Sequence, residues 1–182
     1  MRLNRLLMFF LLLSLLIGCS KERTFEEFFH KEMEAKQEGY DKDVLNSYSL
    51  VHHEQNVVQK EDAIAIRREN NIQGEQIFIT YFKKENGTWY WEQTRGAEWD
   101  TPHKWSAMNE LPHIYSGAIS DNNITEIYAG EEQAKIIDVE GNKRYWYAVS
   151  PFKDVEVKYV RKDGTEEIIE SIDYEMLEEL AK

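Results

Sequence analysis

Cysteine is almost absent from this sequence, and its near absence excludes two kinds of chemistry. The only cysteine is Cys19, which lies before the part of the chain that has the composition of a folded domain. No disulfide can therefore form within the chain, and no thiol nucleophile is available to the folded part. Proline and glycine are also scarce, with three and nine residues among 182, so collagen-like and low-complexity structures are excluded.

The chain also has few basic residues relative to acidic ones. The chain has 22 Lys and Arg residues against 34 Asp and Glu residues, which gives a net charge of −12. A surface of this sign repels phosphate backbones, so we expect no nucleic acid among the partners. The hydrophobic residues make up 42% of the chain and the aromatic residues 13%, which is typical of one globular domain.

The N-terminus has the pattern of an export signal. Two arginines and no acidic residue precede an apolar run from Leu6 to Ile17 that only Ser14 interrupts. A helix of twelve residues covers about 18 Å, well short of the roughly 30 Å of a bilayer core. The run therefore predicts a cleaved signal peptide and not a transmembrane helix.

The end of this run resembles a known processing site. Leu16-Ile17-Gly18-Cys19 is similar to the lipobox of bacterial lipoproteins, in which the cysteine is diacylated and becomes the first residue of the mature chain. The resemblance implies a signal peptide at 1–18, a lipidated Cys19 at the start of a tether at 19–23, and the extracytoplasmic face of the cell membrane as the location. The mature chain would keep 20 basic and 34 acidic residues, a net charge of −14. Attachment would then depend on the acyl chains and not on charge.

A second resemblance covers residues 75–165. The stretch Trp89–Asp100, together with Ile114–Ile119 and Ala134–Val139, is similar to small uncharacterised lipoproteins of bacilli and related Gram-positive bacteria. This resemblance supports the predicted location and implies no activity and no site.

The mature chain is predicted to form one mainly β domain, residues 24–182, with a helix at its N-terminus. Thr24 and Glu27 form a capping-box pattern, and Phe25, Phe28, Phe29 and Met33 recur at helical spacing, which predicts an amphipathic helix over 24–38 packed on the domain. Short segments with a period of two follow, and they predict an antiparallel sandwich or a curved meander. Asn86-Gly87 predicts a hairpin turn, and a short helix is expected from about Asp173 to Leu180.

Residues 95–112 lose this alternation, which predicts a long ordered loop. Within it, Trp99, Asp100, His103 and Trp105 are the candidate binding surface, with the two tryptophans expected to be exposed because they lie in the loop. Asp100 and His103 could also be a catalytic carboxylate and imidazole, although turn chemistry and packing explain them more simply.

Metal and cofactor patterns are weak, and we expect neither a metal nor a cofactor. His52-His53-Glu54 could supply only two ligands from one face of a strand, so a solvated strand end is favoured over zinc. Asp121, Asn123, Thr125 and Glu132 match four positions of an EF-hand loop, but Glu126 stands where glycine is required, which favours a turn and a strand over calcium.

These observations predict a lipid-anchored extracytoplasmic lipoprotein that binds a partner protein or an envelope polymer without turnover. One alternative is an envelope hydrolase that uses Asp100, His103 and a nearby carboxylate such as Glu98. A further alternative is a structural or inhibitory cap for a membrane enzyme, which would present one large apolar patch.

Overall fold

The computed structural model describes residues 24–39, 47–71, 74–99 and 104–171, which form one helix and thirteen strands. The predicted signal peptide, the tether and the predicted C-terminal helix lie outside the described residues. The elements are α1 (Phe25–Gly39), β1 (Ser47–Gln55), β2 (Asp62–Asn71), β3 (Gly74–Glu85), β4 (Thr88–Glu98), β5 (Lys104–Ala107), β6 (His113–Ile119), β7 (Ile124–Ala129), β8 (Glu132–Gln133), β9 (Lys135–Glu140), β10 (Lys143–Ser150), β11 (Val157–Arg161), β12 (Glu166–Ile168) and β13 (Glu170–Ser171).

Helix α1 begins with the capping box that its sequence predicts. The Glu27 side chain accepts a hydrogen bond from the Thr24 backbone N–H at 3.0 Å, and the Glu27 N–H donates to Thr24 Oγ1 at 3.2 Å. Phe25, Phe29 and Met33 are buried on one face of the helix. The prediction that the helix packs on the domain is therefore confirmed.

The strands form three sheets. The first sheet has the order β1-β2-β3-β4, the middle sheet β13-β5-β6-β10-β9, and the third sheet β12-β11-β7-β8. Neighbouring strands are antiparallel, apart from the parallel pair of β13 and β5. The mainly β fold with one N-terminal helix is confirmed, and β3 lies inside its sheet as its two apolar faces predict.

Three apolar cores hold these layers together in the order helix, first sheet, middle sheet, third sheet. In β3, Phe82 packs against the helix while Ile79 and Tyr81 face the middle sheet. In β6, Ile114 faces the first sheet and Tyr115 faces the third sheet. The alternation of side chains along one strand thus lets the middle sheet contribute to two cores.

The hairpin between β3 and β4 has the predicted turn. Asn86 and Gly87 both have positive φ, at 51° and 80°, as a two-residue type I′ turn requires. Nothing lies within 4 Å of the place where a Cβ on Gly87 would stand, so the demand for glycine here comes from the backbone alone.

We expect Gly87→Val to lower the free energy of unfolding by about 1–2 kcal/mol, because a β-branched residue is strained in the left-handed region. Thr88→Val, one residue later on the strand, should change it by less than about 0.5 kcal/mol. Urea denaturation of a chain that begins at Lys21 measures both, and equal effects would contradict the assigned turn.

The prediction of one long loop over 95–112 is wrong. Strand β4 continues to Glu98, and Lys104–Ala107 form β5, which pairs with β6. Gly96 leaves room for a side chain of the neighbouring strand, since a Cβ there would stand 2.8 Å from the ring of Phe78. The alternation is hidden in the sequence because small and polar residues occupy positions that face the packed layers.

Candidate functional site

The two tryptophans of the predicted binding surface pack into different cores. Trp99 is half-buried against the core between the first and middle sheets, and Trp105 is half-buried against the core between the middle and third sheets. The Trp105 indole N–H donates to the backbone oxygen of Ile169 at 2.9 Å. The expectation that the two tryptophans are an exposed pair is therefore wrong: Trp105 lies on β5, Trp99 follows directly after β4, and both pack partly against a core.

The other residues of that surface are not placed. Asp100 and His103 lie outside the described residues, as does the side chain of Glu98. The hydrolase hypothesis that depends on these three groups stays a prediction.

His52 and His53 point to opposite faces of β1, as the strand alternation predicts. His53 packs against the helix, with its ring 5.7 Å from the ring of Phe25. His52 Nε2 lies 3.5 Å from Glu54 Oε2 on the other face. No group of three or more His, Cys, Asp and Glu side chains suited to a metal is found within the described ranges.

The segment that matches part of a calcium loop is a turn followed by a strand, as the sequence favours. The Asp121 carboxylate accepts a hydrogen bond from the Asn123 N–H at 2.8 Å and forms an ion pair with Arg161. Strand β7 begins at Ile124. The first oxygen ligand of the calcium pattern is thus engaged in closing the turn.

A cleft of about 900 Å³ opens at one end of the stacked sheets. Its volume lies within the range of small-molecule sites. Five segments that are distant in sequence line it: the β1–β2 loop, the end of β3, the segment before β6, the chain around β8, and the end of β10 with the residue after it. The lining residues are Val57, Val58, Gln59, Tyr81, Lys83, Leu111, Pro112, Glu132, Gln133, Lys135, Tyr147, Ala148, Val149, Ser150 and Pro151.

A buried carboxylate shapes one wall of the cleft. Asp62 is fully buried, and its oxygens accept hydrogen bonds from the backbone N–H groups of Val57, Val58 and Gln59 at 2.7, 3.1 and 2.8 Å. The Tyr81 hydroxyl also donates to Asp62, at 3.1 Å. Burial and the neighbouring carboxylate raise the pKa of Tyr81, which keeps this hydroxyl protonated as a donor.

A second carboxylate joins the first and middle sheets beside the cleft. Glu54 on β1 accepts hydrogen bonds from Lys135 Nζ at 2.5 Å and from the Tyr147 hydroxyl at 2.7 Å. The hydrogen bond from Lys135 lowers the pKa of Glu54, while burial and the bond to Glu54 raise the pKa of Tyr147. Glu54 is thus held ionised and Tyr147 neutral, and the hydrogen bond between them fixes the position of both side chains.

Replacing Glu54 with Gln should lower the free energy of unfolding by about 1 kcal/mol at pH 7, since the pair with Lys135 is partly exposed and screened. The folded-state pKa of Glu54 is lowered, so this contribution is complete above the unfolded value and is lost as the pH falls through the folded value. The difference from wild type should therefore shrink as the pH falls below the unfolded value and through the lowered folded-state pKa of Glu54. Chemical denaturation along a pH series measures it, with Glu132→Gln as the exposed control. A difference independent of pH would contradict the role of Glu54.

The rim of the cleft is apolar and exposed. Leu111 is 67% exposed and Val58 42% exposed, and both line the opening. Phe152, which is 70% exposed, follows directly after the lining residue Pro151. Exposed apolar side chains beside an opening are the kind of surface that a bound molecule covers.

Neither the cleft nor its rim could be recognised as a motif. Its residues come from five segments whose proximity only the sheet order creates. One local signal was present: Asn56 and Asp62 flank a short polar segment between two strands, and such side chains often close loops on backbone N–H groups.

The comparisons with known proteins leave the identity open. Neither the protein-family models, nor the curated proteins, nor the solved structures gave a significant match to this chain. Within the described residues, no helix has the length and apolarity to cross a membrane.

Proposed function

We propose that this protein is a lipid-anchored extracytoplasmic lipoprotein whose β domain binds a ligand, without turnover, in the cleft at the end of its sheets. The cleft with its exposed apolar rim is the observation that carries the binding role. The lipobox-like Leu16-Ile17-Gly18-Cys19 supports the anchoring. This proposal moves the candidate surface away from Trp99 and Trp105, whose side chains pack into the cores.

Binding without turnover agrees with the chemistry of the lining. The two carboxylates beside the cleft, Glu54 and Asp62, are engaged as acceptors by groups of the protein itself. Tyr81 and Tyr147 donate to them. These polar groups fix the shape of the cleft, and the apolar rim supplies the area for contact.

Replacing Cys19 with Ser should abolish lipid attachment, because only the thiol can take up the acylated glyceryl group in lipoprotein processing. We expect the variant to remain as the uncleaved precursor and to incorporate no fatty-acid probe during growth. Wild-type chain expressed in parallel is the control. Fatty-acid incorporation that is unchanged in Cys19→Ser would exclude the anchor.

The binding role is tested with 1-anilinonaphthalene-8-sulfonate, an aromatic probe with one negative charge. A chain that begins at Lys21 should bind it saturably, and Leu111→Ser should weaken that binding at least about five-fold, as expected for loss of an apolar contact at the rim. Ile168→Ser is the matched control, since Ile168 is 63% exposed and lies on β12, away from the cleft lining. An equal effect of both substitutions, or no saturable binding with intact near-UV circular dichroism, would count against the cleft.

A further inference from the structure

The position of α1 determines which end of the domain lies near the anchor. Four residues lie between Cys19 and Thr24, so the five residue-to-residue steps span at most about 18 Å even when fully extended. At the start of the helix, the ring of Phe25 lies 5.1 Å from that of Phe82 and 5.0 Å from that of Trp89, centroid to centroid. Phe82 and Trp89 flank the β3–β4 turn, so an anchor on Cys19 holds this end of the first sheet close to the bilayer.

The cleft opens at the same end. Lys83 lines the cleft, and it lies next to Phe82 but on the opposite face of β3. The loop that follows β1 also lines the cleft, at Val57. The exposed rim residues Val58, Leu111 and Phe152 therefore belong to the end of the domain that the tether holds near the membrane. Apolar side chains placed there can enter the boundary between head groups and acyl chains.

Although the carboxylates of Glu54 and Asp62 lie beside the cleft, its lining contains one weakly paired cation, Lys83, that an anionic group can approach. Two lysines and one glutamate are the charged residues among those that line the cleft, whereas the whole chain has a net charge of −12. Lys135 is engaged by Glu54 at 2.5 Å. Lys83 forms a longer ion pair of 3.7 Å with Glu92, so its ammonium group can turn to another anion at a smaller loss.

We propose that the cleft takes up a phospholipid from the bilayer against which its mouth is held. The acyl chain lies along Val58, Leu111 and Val149, and the phosphate is bound by Lys83. This inference rests on the proposed anchoring and binding role, and it names the chemical class of the ligand.

The test uses the full chain in living cells grown with ³²P-phosphate. A photo-reactive benzophenone amino acid is placed inside the cleft at Val149, at its rim at Leu111, or on β12 at Ile168 as the control. Diacylglyceryl-cysteine contains no phosphorus, so radioactivity that remains on the protein after irradiation and solvent extraction reports phospholipid adducts only. We expect labelling from Val149 and Leu111 at least about five-fold above that from Ile168. Val57, in the opposite wall, is a second interior position in case the Val149 variant does not fold.

Two neighbouring lysines, Lys83 and Lys84, test whether Lys83 binds the phosphate. With the benzophenone at Leu111, Lys83→Glu should reduce the labelling at least about three-fold, whereas Lys84→Glu should leave it unchanged. Lys84 is the neighbouring residue and lies over the ring of Trp89 on the helix side of the sheet. Equal labelling in the two variants would exclude Lys83 as the phosphate group's partner and overturn the proposal.

The other outcomes separate this inference from the proposed function. Labelling at Leu111 without labelling at Val149 or Val57 would show that the mouth touches the bilayer while the cleft holds no phospholipid, and would overturn the inference. Adducts with another protein, without ³²P, would overturn it too, while the anchored binding module would stand. A chain without a lipid anchor would instead appear as loss of membrane association in every variant, which is the failure of the proposed function.

Discussion

Replacing Asp62 with Ala is expected to lower the free energy of unfolding by about 3–5 kcal/mol, one of the largest losses from a single substitution in this domain. Three backbone N–H groups, those of Val57, Val58 and Gln59, would lose their acceptor, and so would the Tyr81 hydroxyl. Because Asp62 is fully buried, water cannot replace it without rearrangement of the loop. Denaturant unfolding of a chain that begins at Lys21 gives the value.

Asp138→Ala is the matched control, since Asp138 is an exposed residue of the edge strand β9. It should change the free energy of unfolding by less than about 0.5 kcal/mol. Asp62→Asn should lie between the two, because an amide keeps the volume and one acceptor oxygen but presents donors to the loop N–H groups. If Asp62→Ala lowers the free energy of unfolding no more than Asp138→Ala does, the loop does not depend on the Asp62 carboxylate.

Asp62→Ala should also weaken binding of the naphthalene probe, since the β1–β2 loop is a wall of the cleft.

Replacing Phe29 with Ala should lower the free energy of unfolding by about 2–4 kcal/mol. The side chain has no exposed surface, and it packs with Phe25, Met33 and Phe82 in the core between the helix and the first sheet. Its removal loses the transfer free energy of the ring and leaves a cavity. The measurement again uses a chain that begins at Lys21.

Lys31→Ala on the exposed face of the same helix is the control, with an expected change below about 0.5 kcal/mol. A loss of less than about 0.5 kcal/mol for Phe29→Ala would contradict the packing of α1 on the sheet. The comparison also bears on the proposed membrane orientation, since the proposed tether would hold one end of the domain near the bilayer only while the helix stays docked.

The helix and most of the strands could be predicted because their signals are local. The spacing of Phe25, Phe29 and Met33 is that of one helical face, and Asn86-Gly87 is the dipeptide that a type I′ turn prefers. In β3, apolar side chains on both faces indicate a strand covered on both sides. In each case, neighbours in sequence determine the contacts.

The arrangement of the strands into three layers could not be predicted in this way. The alternation along β6 is compatible with a strand in a two-layer sandwich, and only the pairing of β6 with β10 and β5 shows that both of its faces are covered by other sheets. The error at 95–112 has the same origin. The prediction for Trp99 and Trp105 depends only on their neighbours in sequence, whereas in the folded chain their surroundings consist of residues from other strands.

The candidate site moved for a related reason. The sequence pattern favours Trp99, Asp100, His103 and Trp105 because chemically distinctive residues are dense there. The cleft has no such density: Leu111 and Val149 are ordinary apolar residues, and Lys83 is one of many lysines. Their significance comes from exposure and proximity, which are properties of the folded chain.

The middle sheet places the domain's two larger cores on a shared pair of strands. All seven residues of β6 are buried, and its partner β10 contributes Tyr145 and Tyr147 to one core and Trp146 and Ala148 to the other. The first and third sheets therefore pack on opposite faces of the middle sheet, and either can open while the middle sheet stays folded. Amide protons of β6 and β10 would then exchange with solvent only when the whole molecule unfolds, whereas those of α1 and β12 exchange through smaller openings. A pull on the N-terminus of the helix would reach the helix first, then the first sheet, and the middle sheet only after both.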